Sequence, residues 1–203
     1  MPGLTRRSVG LFIALCLAVG TASAGAAPSG EAERLMRIRP KAEQYTLKAP
    51  GSRIETGAAR VFVKAPLETT KNTVVDYARY AAMIETFDQA KVVGKQGTQT
   101  DVYLRVPILN GAARIWAVMR FDPPRKVGDD EYVVAARMVK GNVERFEATY
   151  RIRRIDAGNT QLNLEMLIVP NLPVPGSVVT SWVARASDRA VRRLRDGAEK
   201  SKA

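Results

Sequence analysis

An α+β fold, a bent antiparallel sheet wrapped around a long C-terminal helix, is predicted by three features of the sequence. Runs of residues that alternate apolar with polar follow one another from residue 90 to residue 169, divided by turn residues and with no helix between them. A short helical stretch comes just after the first strand of the domain. An amphipathic helix of about six turns closes the chain. Such a sheet has one apolar face that it cannot bury alone, and a helix laid across its curve covers that face.

The first residues are read as a leader rather than as part of the fold. Arg6 and Arg7 make a basic start, Val9 to Val19 is apolar, and Ala22-Ser23-Ala24 or Ala24-Gly25-Ala26 offers small residues for cleavage. The apolar run is short for a bilayer span. Thr5-Arg6-Arg7 is only a partial match to a twin-arginine signal, and Leu15 before Cys16 stands where a lipoprotein signal wants a small residue. Residues 1–26 are therefore expected to be a cleaved signal peptide, and the product to be exported, periplasmic or secreted.

Removing residues 1–26 also removes the only cysteine, and the sequence contains no histidine. Disulfides, Cys/His zinc sites, histidine-dependent triads and His-ligated haem are thereby excluded from the mature chain. No cofactor and no metal are expected. The full chain has a formal charge of +12, which falls to +10 without Arg6 and Arg7. For an exported protein that surplus suggests anionic lipid or another envelope polyanion rather than nucleic acid, or simply a solvated basic surface. The remaining chain of about 175 residues is long enough for one domain with its own core, and a monomer is expected.

Residues 27–57 read as an N-terminal extension. It carries Pro28, Pro40 and Pro50 and one short helical possibility at Glu31 to Ile38, and its Leu35, Met36, Ile38, Tyr45 and Leu47 are able to pack on the domain. The domain itself spans 58–200. Its first strand is Ala58 to Lys64, with Ala59, Val61 and Val63 alternating against Arg60, Phe62 and Lys64. A helix over about Thr69 to Glu85 follows, capped by Thr70 or Asn72.

The strands come next: Ala90 to Lys95, Thr100 to Ile108, Ala113 to Phe121, Glu131 to Lys140, Glu144 to Ile155 and Thr160 to Val169. Gly97, Asn110-Gly111, Asp122-Pro123-Pro124, Gly141-Asn142 and Asp156-Ala157-Gly158-Asn159 divide them, as in an antiparallel meander. Phe146, Ala148, Tyr150 and Ile152 oppose Arg145, Glu147, Thr149, Arg151 and Arg153. Leu162, Leu164, Met166 and Ile168 oppose Gln161, Asn163 and Glu165. One face is oily and the other wet. Asn171 to Gly176 is a stiff proline-rich loop, after which Ser177 caps the final helix. Val178, Val179, Trp182, Val183, Ala186, Ala190 and Leu194 form its apolar side, and Arg185, Arg189, Arg192, Arg193 and Arg195 project elsewhere.

Several phrases resemble the START-like, or polyketide-cyclase and birch-allergen-like (SRPBCC), superfamily. Arg60-Val61-Phe62-Val63-Lys64-Ala65-Pro66-Leu67-Glu68 resembles that family's first strand and its alanine-proline turn into a helix. Val75-Asp76-Tyr77-Ala78-Arg79-Tyr80 is similar to its aspartate-tyrosine helix. Arg114-Ile115-Trp116-Ala117-Val118-Met119-Arg120-Phe121-Asp122-Pro123-Pro124 resembles a central strand running into a proline turn. The resemblance covers about 58–200 and is nearest to the coenzyme-Q-binding branch. It implies a helix-grip fold with a cavity between sheet and C-terminal helix, and ligands such as lipids, sterols, quinones or polyketides. The quinone-binding branch works inside mitochondria or cytoplasm, whereas this chain is expected to be exported.

The expected cavity is lined by Ile115, Ala117, Met119, Phe121, Met138, Phe146, Ala148, Tyr150, Leu164, Met166, Trp182 and Ala186. Alanines leave room, methionines adapt, and aromatic rings supply flat walls. The same residues would equally populate a filled core. The function expected is an exported binding or transfer protein for an apolar ligand, such as a lipid, an isoprenoid or quinone, or a sterol-like molecule. A cyclase- or dehydratase-like enzyme using Tyr150 in the same cavity is the alternative, as is an envelope protein-interaction module. Asp76 lies beside Tyr77 and Tyr80, while Glu147 and Glu165 fall on the wet face, so no paired carboxylates point to acid–base chemistry. Leu172, Val174, Arg185, Arg189, Arg192 and Arg193 are membrane-contact candidates, an apolar loop beside a basic helix. That loop and the helix it launches are expected to form the gate.

Overall fold

The computed structural model describes residues 30–108, 113–171 and 173–201. The expected signal peptide, the Asn110-Gly111 turn and Leu172 lie outside the described residues. The order of elements is α1 (Gly30–Arg37), β1 (Glu43–Leu47), β2 (Thr56–Val63), α2 (Leu67–Val75), a 3-10 turn (Tyr77–Arg79), α3 (Tyr80–Met83), β3 (Gln89–Gln96), β4 (Gln99–Ile108), β5 (Ala113–Phe121), β6 (Arg125–Val127), β7 (Glu131–Gly141), β8 (Val143–Arg154), β9 (Thr160–Pro170) and α4 (Gly176–Lys200). The fold is the expected α+β arrangement, a curved antiparallel sheet with a long C-terminal helix.

Among the described residues the sheet runs β1-β2-β9-β8-β7-β5-β4-β3, with β6 paired to β7. From β3 to β9 the strands meander. The sheet is more than a meander, because β2 pairs with the last strand, Val61 opposite Leu162 and Ala59 opposite Leu164. The helical stretch α2–α3 carries the chain from β2 to the far edge at β3. Alternation therefore puts Ala59, Val61 and Val63 on the concave face with Met119, Val134, Phe146, Tyr150 and Leu164, and all of these are buried.

The N-terminal extension is built into this sheet. β1, not anticipated because it is short and polar, pairs with β2 through Glu43 opposite Arg60 and Leu47 opposite Thr56. α1 then lies on the convex side of β2, where Ala32 and Leu35 are buried. This is why Phe62, expected on the wet face, is buried. Leu35 packs as anticipated, whereas Met36 and Leu47 remain exposed. Around α1, Glu31 and Glu43 hold Arg60, Glu43 also holds Arg34, and Arg153 reaches Glu31 at 3.3 Å.

The helix expected as one piece over 69–85 breaks at Asp76, whose backbone (φ −80°, ψ 63°) leaves the helical region. Neither Thr70 nor Asn72 caps it. Pro66 precedes the first turn, a place proline suits, and the Thr70 hydroxyl donates to the Pro66 carbonyl at 3.1 Å. α4 likewise starts at Gly176 behind Pro175 rather than behind a Ser177 cap.

α4 is pinned along β2. Ser187 Oγ donates to the Gly57 carbonyl at 3.0 Å, and the Glu55 amide donates to Thr180 Oγ1 at 3.1 Å. At its C-terminal end Glu199 accepts two bonds from Arg39, at 2.7 and 3.0 Å, and one from the Lys64 amide at 2.7 Å. Arg195, expected to project away, is buried. Its guanidinium donates to the Pro40 carbonyl at 2.7 Å and pairs with Asp196, which satisfies a charge that would otherwise be costly to bury.

Candidate functional site

The concave face and α4 do not close on one another completely. Between them lies an apolar cavity of about 40 Å³, bordered by β4, β5, β8, β9, α4 and the segment joining α3 to β3. A volume of that size holds a few waters and falls well short of the few hundred Å³ that ligand pockets span. The sheet supplies this wall because its inward positions alternate large with small: Ala148 sits opposite Met166, and Tyr150 opposite Leu164.

Met119, Phe121, Phe146, Ala148, Tyr150, Leu164, Met166, Trp182 and Ala186, all expected from the sequence, border the cavity. Ile115, Ala117 and Met138 do not. Ile115 and Ala117 are buried in the core beside it. Met138 faces Met119 where the register of β5 and β7 shifts at Val118/Met119, and its Sδ lies over Gly141, 2.5 Å from where a Cβ on that glycine would be. The bulge turns this thioether onto the sheet.

Sequence reasoning missed Ile84, Thr86, Phe87, Leu104, Val106, Ile168 and Ala190, which complete the lining. Leu104, Val106 and Ile168 follow from strand parity once the concave face is known. Ile84, Thr86 and Phe87 belong to a connecting segment with no periodicity to betray them. Thr86, Phe87, Met166 and Trp182 are the half-exposed residues of the lining and form its mouth. The α3–β3 segment is fastened there by α4: Arg193 pairs with Glu85, and Arg189 Nε donates to Thr86 Oγ1 at 3.4 Å. On its other side Asp88 holds Arg105 at 2.9 Å.

These contacts correct the expected gate. α4 is held along β2 by Ser187, Thr180 and Glu199, so it is poorly placed to swing as a unit about the Asn171 to Gly176 loop. The segment 84–88 is bound across the mouth by the exposed contacts of Glu85, Thr86 and Asp88, with Ile84 buried and Phe87 packed against the core as its inner anchors.

An aromatic cluster backs this wall, from Phe121 to Phe87 at the mouth. Tyr77 packs on Phe121 with ring centroids 4.3 Å apart, Tyr80 meets Tyr77 edge-on at 5.5 Å, and Phe87 stacks on Tyr80 at 6.2 Å. α2 stops supplying helical donors at Val75, and the Tyr80 hydroxyl donates to the Val74 carbonyl at 2.6 Å. Burial pushes the Tyr150 hydroxyl up to about 12, with the neighbouring Tyr80 acting against it. Burial raises Tyr80 and Tyr77 as well. Asp76 turns outward to Arg79 at 3.7 Å, and Glu147 pairs with Arg145 at 2.8 Å on the convex face. Neither carboxylate joins Tyr150. No cluster of metal-ligating side chains occurs among the described residues.

The membrane-contact candidates split. Val174 and Val178 are exposed, 39% and 53%, at the start of α4, and Arg185 is exposed beside them. Arg192 is paired with Asp188 at 2.8 Å and Arg193 with Glu85, which leaves those two less charge to offer a bilayer.

No protein-family model and no curated protein matches the sequence. Solved structures do. The chain superimposes on a STAR-related lipid transfer protein from Xanthomonas axonopodis with a TM-score of 0.68, at 16% identity, over 78% of this chain and 94% of that one. Human StAR-related lipid transfer protein 5 gives 0.66 at 11% identity, over 85% and 97%. The Zhui aromatase/cyclase of a Streptomyces species gives 0.61 at 17% identity, over 79% and 97%.

Proposed function

On a chain with the START-like helix-grip fold, we propose a carrier that binds an apolar molecule, a lipid, isoprenoid or sterol-like compound, between the sheet and α4. The observation that carries this reading is the cavity under α4, whose buried lining is hydrocarbon and aromatic except for one phenol. Lipid transfer proteins among the fold's members support it by analogy. In the present form the cavity of about 40 Å³ is a closed state, and loading requires its walls to part. Met119 and Met166 are adaptable walls, and the segment 84–88 is the movable lip. We further propose that the protein acts after export, and that Val174, Val178 and Arg185 touch an anionic bilayer during exchange.

Native mass spectrometry of the mature chain, as purified and after incubation with mixed lipid extract, is the deciding experiment. A bound apolar species of stable stoichiometry is expected. Protein that remains empty and unresponsive throughout a lipid panel removes the carrier reading and leaves an envelope interaction module.

The cyclase-like reading is favoured only by the shared fold with an aromatase/cyclase and by the presence of Tyr150 in the cavity. A phenol that burial pushes up to about 12, with no carboxylate, lysine or arginine on the lining beside it, is a weak general acid or base. Turnover of a poly-β-ketone substrate, lost in Tyr150→Phe, would establish it.

A further inference from the structure

We propose that the ligand site continues past Tyr77 into a second compartment, and that its ligand is a single-chain amphiphile, hydrocarbon chain inward and polar head outward. This rests on the carrier reading above and narrows its substrate class. Beside the cavity lies an open cleft of about 350 Å³, walled by the turn at Tyr77, by β3 and β4 and by the Asp122-Pro123-Pro124 turn. Both spaces belong to one concave face. Thr100 pairs with Phe121, which borders the cavity, and Val92 pairs with the buried Val102, so Thr100 and Val92 carry the same face on into the cleft. Tyr77 stands between the two. Its ring packs on Phe121 with centroids 4.3 Å apart, and it lines the cleft on its other side.

Tyr77 is held less firmly than the ring behind it. Tyr80 is fully buried, and its hydroxyl donates to the Val74 carbonyl at 2.6 Å. Tyr77 follows the break in the helix at Asp76, and among the described residues its hydroxyl has no hydrogen-bond partner. Turning this one ring loosens ring contacts and breaks no hydrogen bond. It joins the cavity of about 40 Å³ to the cleft, which brings the whole into the few hundred Å³ of a ligand pocket. The opening so made is the width of one phenol ring. It passes a hydrocarbon chain and stops the fused rings of a sterol. The two compartments also differ in chemistry. The cavity offers a chain almost nothing but hydrocarbon, whereas Thr98, Thr100, Lys95, Asp76 and Asp122 give the cleft hydroxyls and charges of both signs. A head that both donates and accepts hydrogen bonds, such as glycerol, suits that set.

The test compares monooleoylglycerol with methyl oleate, which share a chain and differ in the head, and with cholesterol. Affinities and rates are read by displacement of a fluorescent apolar dye. The wild-type protein is expected to prefer monooleoylglycerol to methyl oleate by roughly five- to tenfold, the effect of one net hydrogen bond, and to bind cholesterol more weakly than either. Thr98→Trp fills the cleft from an exposed turn and is expected to abolish that preference. Tyr77→Ala is expected to speed the uptake of monooleoylglycerol several-fold. Should Tyr77→Ala fail to fold, the head preference and its loss in Thr98→Trp still decide. Cholesterol bound as tightly as monooleoylglycerol, or a head preference that is absent from the wild type or survives in Thr98→Trp, overturns the second compartment and leaves the carrier standing. Absence of binding of all three probes and of every other apolar compound overturns the carrier reading itself.

Discussion

Gly57 lies directly beneath Ala184, so close that a Cβ on the glycine would overlap the Ala184 backbone nitrogen and come within 2.8 Å of its Cα. The Gly57 carbonyl also accepts the Ser187 hydroxyl. This contact sets the depth to which α4 sinks into the sheet, and so the height of the cavity roof. Gly57→Ala is expected to lift α4 and destabilise the protein by about 1–3 kcal/mol, as overpacking does. At this length that is a fall of roughly 3–10 °C in Tm, measured by circular dichroism. An unchanged Tm would mean that α4 is free to shift.

Trp182 borders the cavity from α4 but is only half-buried. Trp182→Ala is therefore expected to cost about 1–2 kcal/mol, less than the 3–5 kcal/mol of a fully buried aromatic. Release of a bound apolar dye should speed up by more than the stability change explains. Stopped-flow release and a denaturant titration separate the two effects.

The pair Arg193–Glu85 fastens segment 84–88 across the mouth. Both side chains are substantially exposed, so Glu85→Gln should change stability by less than about 1 kcal/mol. Dye uptake should nevertheless become faster. An unchanged uptake rate would place the lip elsewhere.

Acid should loosen the N-terminal arm before the sheet. Arg34, with Arg60 behind it, holds the Glu43 carboxyl below its usual 4.5. Burial would raise Glu199, yet the bonds from Arg39 and the Lys64 amide outweigh it and hold that carboxyl low as well. Both groups therefore contribute stability that is complete above pH 4.5 and is lost as the pH falls through their depressed folded-state values. Hydrogen exchange in residues 30–47 is expected to rise below about pH 4.5 while β8 and β9 stay protected. Simultaneous loss of protection in both regions would contradict this.

Membrane docking is tested at the arginines least engaged in ion pairs. Wild-type protein is expected to co-sediment with phosphatidylglycerol vesicles at low salt and to be released at high salt. Arg185→Glu combined with Arg189→Glu should abolish the low-salt binding with Tm nearly unchanged. Normal binding by that variant would make the arginines a solvated face only.

Most strands were legible because two signals coincided in them. In β8 and β9 the alternation from Phe146 to Ile152 and from Leu162 to Ile168 is bounded by Gly141-Asn142 and by Asp156 to Asn159, which fixes both the face and the ends. β1 escaped because Glu43–Leu47 is short and nearly all polar, and it holds its place through pairing with β2 rather than through an apolar stripe. The break at Asp76 escaped because apolar residues continue at helical spacing on both sides of it. Burial of Phe62 and Arg195 depends on α1 and on the Pro40 carbonyl, partners far away in sequence. In the candidate site, the parity of a strand pointed to Met119, Phe121 and Tyr150. No such rule reaches Thr86 or Phe87, which a connecting segment brings to the mouth.

Arg39 and Glu199 stand 160 positions apart and meet beside the last turn of α4. The roof of the cavity, its pins on β2 and the clasp on the N-terminal arm all depend on the final stretch of chain. A polypeptide emerging N-terminus first from a ribosome or a translocation channel would expose the oily concave face until those residues arrived. Contacts of such long range make for slow folding, and a nascent or truncated chain ending before Leu194 would be a substrate for chaperones and proteases rather than a smaller version of the same fold.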